Sequence, residues 1–167
     1  EPLERDIRQA EEALAAVLRA HDGRGPQTAL TEVVRERYPN LDVLYVEIQI
    51  NPRRVSEVAS WAKTVADMAP VDAVSRDIVA RAASELVSST LAALDGAGVT
   101  DPNPRVGMVG NVFRGESLRT GFTAGVLRAV PGAELINAVS DGLAGAALLP
   151  EVGEESALAS HILRASR

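Results

Sequence analysis

Three glycines in the stretch RVGMVGNVFRGES, residues 105 to 117, hold the clearest prospect of chemistry in this chain. Gly107, Gly110 and Gly115 follow and interrupt a short apolar run, the pattern of a buried strand turning into a helix. Glycine at such a turn lets the backbone approach a ligand closely, because no side chain intrudes. The helix start that follows offers free backbone N–H groups. Spacing then narrows the ligand. A dinucleotide fold needs G-x-G-x-x-G, whereas these glycines run G-x-x-G-x-x-x-x-G. A P-loop needs lysine and then serine or threonine after its last glycine. Gly110 and Gly115 have that interval, but Glu116 and Ser117 follow them, and an acid at a helix start disfavours a phosphate. Two readings stay open: the glycines only turn the chain, or Gly110 leaves room for the flat face of a nucleoside.

Other chemistries find little support. The chain has no cysteine, which excludes disulfides, thiolate nucleophiles and cysteine-ligated zinc or iron–sulfur clusters within it. That composition is compatible with the cytoplasm, the compartment expected here. His21 and His161 lie far apart in sequence, with no ligand-like spacing, and each reads as a solvent-edge residue near a helix end. No G-x-S-x-G elbow supports a serine triad. Arg53 and Arg54 read as a solvated helix start, and Glu154 and Glu155 as acids complementing a helix dipole. Asp101 and Asp141 lie near the glycine-loop region without a spacing that assigns either to a metal. The net charge of −6 argues against a nucleic-acid binder. The five aromatics (Tyr38, Tyr45, Trp61, Phe113, Phe122) are scattered rather than interleaved with arginines. No apolar run reaches the roughly 18 residues of a membrane span.

The elements that must position the loop are legible as a helical part over about 1–100 and a strand–helix–strand part over about 101–167. Ile7, Ala10, Leu14, Val17 and Leu18 predict an amphipathic helix over 3–20. Thr28 is expected to cap a second helix carrying Leu30, Val33, Val34 and Tyr38. LDVLYVEIQI, residues 41–50, alternates like a strand yet also allows a helical turn. A third helix is expected from Pro52 to about Ala69, with Val55, Val58, Ala62 and Val65 on one face. Asp72 is expected to cap a long fourth helix through Ile78, Ala82, Leu86 and Ala93. RVGMVGNV then reads as a buried strand, 116–129 as a helix with Leu118, Phe122, Val126 and Leu127 inward, and PGAELINA as a turn and second strand. A crossover helix implies that the two strands are parallel. GLAGAALL reads as a small-residue helix, and residues 154–165 as a last helix.

Two segments resemble a known family. EALAAVLRAHDGRGPQTALT, followed by a helical segment, is similar to the helix-and-turn motif of the BadF/BadG/BcrA/BcrD-type ATPases, which include N-acetylglucosamine kinases. VGMVGNVFRGESLRTGFTAGVLRAVPGAELINAVSDGLAGAALL, residues 106–149, resembles the family's carboxyl-terminal strand, adenosine loop, helix and strand. The helices between them follow the family's order, so the likeness covers essentially the whole chain. It implies an α/β, ribonuclease-H-like lobe of the actin-like ATPase superfamily, helix-rich with a small, partly parallel sheet. It also implies that Gly110, Asn111 and Val112 lie against the nucleoside of ATP. The family's loop usually carries a second glycine where Asn111 stands, and proline-containing sequence is common where Gly142 and Leu143 stand.

The resemblance implies the carboxyl-terminal half of a two-lobed, ATP- and magnesium-dependent amino-sugar kinase. The family's phosphate loops and the aspartate that activates the sugar hydroxyl have no counterpart in this chain, so the piece alone is expected to be inactive. A start at Glu1-Pro2, without methionine, is read as that of an excised piece. Two alternatives are carried. One is a lobe of an ATPase that activates a 2-hydroxyacyl-CoA dehydratase or a reductase, although such activators share a cysteine-held cluster. The other is a helical dimerisation or interaction module, with a homodimer as its simplest form.

Overall fold

Ala10, Ala13, Leu14, Val17 and Ala20 are all buried and recur at three- and four-residue steps, so the first segment forms an amphipathic helix. This helix, α1 (Pro2–His21), packs on α4 (Arg54–Met68) and α5 (Ala73–Gly96). Between α1 and α4 lie α2 (Leu30–Arg37), a 3-10 turn (Leu41–Val43) and the short α3 (Leu44–Ile50). The second half runs β1 (Arg105–Met108), a 3-10 turn (Asn111–Arg114), α6 (Glu116–Ala129), β2 (Glu134–Asn137), α7 (Gly142–Ala147) and a last 3-10 turn (Leu149–Glu151). This computed structural model describes residues 2–137, 142–153 and 155–156. It is a helix-rich α/β arrangement: β1 and β2 pair in parallel with Arg105 opposite Glu134, and α6 makes the crossover and packs on α5. Among the described residues no helix is long and apolar enough to cross a membrane.

Several expectations are decided or corrected. Residues 41–50, which the sequence left open between strand and helix, are helical. Leu41, Leu44 and Ile48 are buried while Val46 and Ile50 are exposed, so the chain buries the helical subset of an ambiguous apolar run. Thr28, by contrast, makes the expected capping bond: its hydroxyl accepts from the Leu30 N–H at 3.2 Å just ahead of α2, and it also donates to Asp72. Val55 is exposed, and Trp61 takes the inward place on α4 beside Val58 and Val65. Leu127 is also exposed, while Leu118, Phe122 and Val126 fill the inner face of α6. The helix expected over 154–165 lies largely outside the described residues.

The α5–α6 contact depends on small residues. A Cβ on Gly125 would come within 2.6 Å of Val87 Cγ2, and one on Gly121 within 3.2 Å of Ala83 Cβ. Val87 is β-branched and held to one main rotamer in its helix, so it cannot swing clear. Gly125→Ala is therefore expected to lower stability by about 1–3 kcal/mol, despite alanine's better helix propensity. A denaturant midpoint that rises instead would show that the helices can part freely.

At the other end of the core, Tyr38 Oη donates to Glu57 Oε1 at 2.6 Å, and Arg37 Nη2 donates to Glu57 Oε2 at 2.5 Å. The Arg37 guanidinium also lies 5.8 Å from the centroid of the Trp61 ring. Burial, and then the hydrogen bond to the Glu57 carboxylate, push the Tyr38 phenol up to about 12. A folded-state value above the unfolded one, about 10, gives stability that is fully present below the unfolded value. That stability is lost as pH rises through the folded one. Spectrophotometric titration should accordingly show a phenol ionising near pH 12 that is absent from Tyr38→Phe.

Candidate functional site

The glycine loop leaves the carboxyl end of β1 and enters α6. β1 buries Val106 and Met108 and exposes Arg105 and Gly107, the alternation of a strand with one covered face. Gly110 then sits at φ 102° and ψ 168°, a conformation that an L side chain rarely adopts. A Cβ placed there would meet nothing within 4 Å, so glycine is needed for its backbone and the space beside it is open. Asn111 begins the 3-10 turn that follows, and Val112 packs partly buried against the core. The three residues expected against a nucleoside are thus consecutive on one loop. Gly110 borders open space by its own geometry.

Phe113 fixes this loop to the helix. Its ring lies 5.0 Å from that of the buried Phe122, tilted by 57°, an arrangement aromatic quadrupoles favour. Glu116, the first residue of α6, is exposed, and no side chain caps the helix start at Gly115. An exposed acid at an uncapped N-terminus repels phosphate while leaving the loop open to an uncharged ring system.

A cleft of about 440 Å³ runs beside β1, between Arg105, Gly107 and Val109 and the second half of α5. The α5 hydroxyls that reach it are engaged by their own helix: Ser89 Oγ donates to Glu85 O and Thr90 Oγ1 to Leu86 O, each at 2.9 Å. The Arg105 side chain pairs with Glu134 at 3.4 Å. A second, apolar groove of about 620 Å³ lies where α1, α3 and α4 meet.

Asp72 holds the DGRGPQTALT segment in place. Its carboxylate caps α5 by accepting from the Ser75 N–H and hydroxyl, both at 2.8 Å. It also accepts from the Ala29 N–H and the Thr28 hydroxyl, both at 2.9 Å. One buried side chain thereby ties the starts of α2 and α5 together. Burial alone would raise its pKa, but these hydrogen bonds outweigh it and hold the carboxyl below its ordinary value.

The remaining candidates are accounted for by local contacts. His21 Nε2 lies 2.9 Å from Asp42 Oδ1 at the end of α1, and Arg54 Nη1 donates to Gln49 Oε1 at 2.7 Å. The Asp101 carboxylate accepts from the Asn103 N–H at 2.8 Å. Asp141, Glu154 and His161 lie outside the described residues. Among the described residues no group of three or more histidines and acids is placed to hold a metal. Sequence reasoning missed Phe113 as the loop's anchor, although its spacing from Phe122 in the next helix was a usable signal. It also missed the α5 wall of the cleft, whose small and hydroxyl residues carry no local signature. No family model, curated protein or solved structure matches this chain.

Proposed function

We propose that the chain is the nucleotide-binding, carboxyl-terminal lobe of an ATP-dependent amino-sugar kinase of the BadF/BadG/BcrA/BcrD type, with a ribonuclease-H-like fold. The observation that carries the reading is Gly110: a left-handed glycine with open space beside it, between the end of a parallel strand and a helix start. Ligands of parallel α/β sheets bind at such carboxyl ends. The likeness of DGRGPQTALT and of residues 106–149 to that family supports the same reading.

By this reading, Gly110 and the backbone of Asn111 and Val112 lie along the nucleoside, and the Phe113–Phe122 pair keeps the loop from shifting. Phosphoryl transfer is mostly positioning and charge neutralisation around magnesium and the terminal phosphates. Those tasks, and activation of the sugar hydroxyl, belong to the other lobe of the full-length kinase. The chain alone therefore binds adenosine and ATP weakly and with similar affinity, and transfers no phosphoryl group.

The test compares calorimetric titration of this chain with sugar-dependent ADP release by the full-length protein, using N-acetylglucosamine, glucosamine and glucose. Gly110→Val forces a β-branched residue into the left-handed region and fills the open space. It is expected to weaken adenosine binding at least tenfold, about 1.4 kcal/mol. Equal adenosine affinity in folded Gly110→Val would remove the loop from the site. ATP turnover by the full-length protein that no sugar stimulates would favour the activator class.

A further inference from the structure

Gln9 is the polar member of a buried stripe on α1 that otherwise holds Ala13, Ala16 and Ala20. The side chain is only 6% exposed. Its Nε2 group is shut off from solvent and meets no acceptor among the described residues. Burying a primary amide costs the hydrogen bonds it made to water unless they are replaced, and buried polar side chains are rarely left without a partner. Beside Gln9 a small cavity opens between α1 and α5. Arg8, Gln9 and Glu12 line it from the first helix, and Ile78, Ala82 and Glu85 from the second. The α5 residues stand at four- and three-residue steps on one face of that helix, with alanine in the middle place. About 10 Å³ is open there to the centre of a water-sized sphere. Two ion pairs span the same helices around it. Arg8 Nη1 lies 3.4 Å from Glu85 Oε2, and Arg81 Nη2 lies 2.7 Å from Glu12 Oε2.

We propose that this cavity is a binding site for one internal water molecule, which accepts from the Gln9 amide and donates to the flanking carboxylates of Glu12 and Glu85. The size fits, because room for about one water-sized sphere is what a single water needs. The lining fits as well. An internal water makes about three hydrogen bonds, and a carboxylate that takes one bond from an arginine keeps further acceptor capacity. Other occupants match less of the lining. A metal ion would meet an N–H group and two guanidinium groups, and an anion would meet two carboxylates. An apolar guest would leave the Gln9 amide unpaired. Water both accepts and donates, so it serves the amide whichever of its two atoms faces the cavity. The water gives the α1–α5 seam a buried polar link between its two exposed ion pairs. The proposal does not depend on the nucleotide reading, since it concerns this seam and not the glycine loop.

The experiment is NMR on the whole chain, with the water resonance excited selectively and transfer read at the Gln9 side-chain amide protons. A water held longer than the protein takes to tumble gives laboratory-frame and rotating-frame cross-peaks of opposite sign, whereas passing surface water gives the same sign in both. Opposite signs are expected at Gln9. Ala82→Val adds two methyl groups at the cavity wall and should abolish the cross-peaks. Gln9→Met keeps the length of the side chain and removes the amide. Because the water already satisfies that amide, the urea midpoint of Gln9→Met should stay unchanged, and this reading decides even where Ala82→Val does not fold. Three outcomes overturn the proposal. One is the absence of opposite-sign cross-peaks in the wild type. Another is their survival in folded Ala82→Val, which places the water elsewhere. The third is a marked rise in the Gln9→Met midpoint, which means that the amide was buried dry.

Discussion

Asp72→Ala is expected to destabilise the chain by about 3 kcal/mol, more than loss of an ordinary helix cap, which is about 1 kcal/mol. The difference arises because this carboxylate serves two helices. Without it, the Ser75 and Ala29 N–H groups and the Thr28 hydroxyl all lose their acceptor. Ser75 and Thr28 lie where water has little access, and an unsatisfied buried group costs about 1–3 kcal/mol. Asp72→Asn keeps the shape and one carbonyl oxygen, so about half of the loss should return. The pH dependence has a definite sign. A carboxyl held below its ordinary value in the folded state contributes stability that is present above the unfolded pKa. That stability is lost as pH falls through the folded one. Wild type should thus show an acid-side fall in stability that Asp72→Asn lacks. Urea denaturation across the acid range measures both, and identical pH profiles for the two proteins would sink the assignment.

Phe122→Ala is expected to lower stability by about 3–5 kcal/mol, the range for removing a large buried aromatic. Phe122 is 2% exposed and belongs to the core formed around α5, α6 and β1. Its loss empties the space under Phe113 and releases the turn that begins at Asn111. Amides of Val112 and Phe113 should therefore exchange faster than the global loss of stability explains. Phe122→Leu, which keeps much of the volume, should lose less than half as much and keep the loop protected. A loop whose protection tracks global stability alone in both variants would mean that the ring pair does not position it.

Much of this was legible in the sequence because the signals were local. Asp72 stands at the start of an apolar-periodic run, and its cap on α5 follows from that position. Its hold on Thr28 and Ala29 joins residues far apart in sequence, and no local pattern encodes it. Residues 41–50 carried two periodicities at once, and burial against α1 and α4 chose the helical one. Val55 and Leu127 failed for a related reason: the apolar stripe on each helix is narrower than its apolar composition. For the loop, glycine spacing pointed to a turn at a strand end. The left-handed backbone at Gly110 and the ring beneath Phe113 emerged only when strand, turn and helix were assembled.

The crossover geometry also orders events in time. A tight hairpin cannot join parallel strands, so β1 cannot pair until α6 has formed and carried β2 back beside it. Helices form in about a microsecond or less, whereas pairing strands distant in the chain is slower. Until then, the apolar run from Val106 to Val109 is a strand without a partner, the species most prone to stick to its own kind. The slowest step of folding and the greatest hazard of aggregation therefore fall on the same few residues.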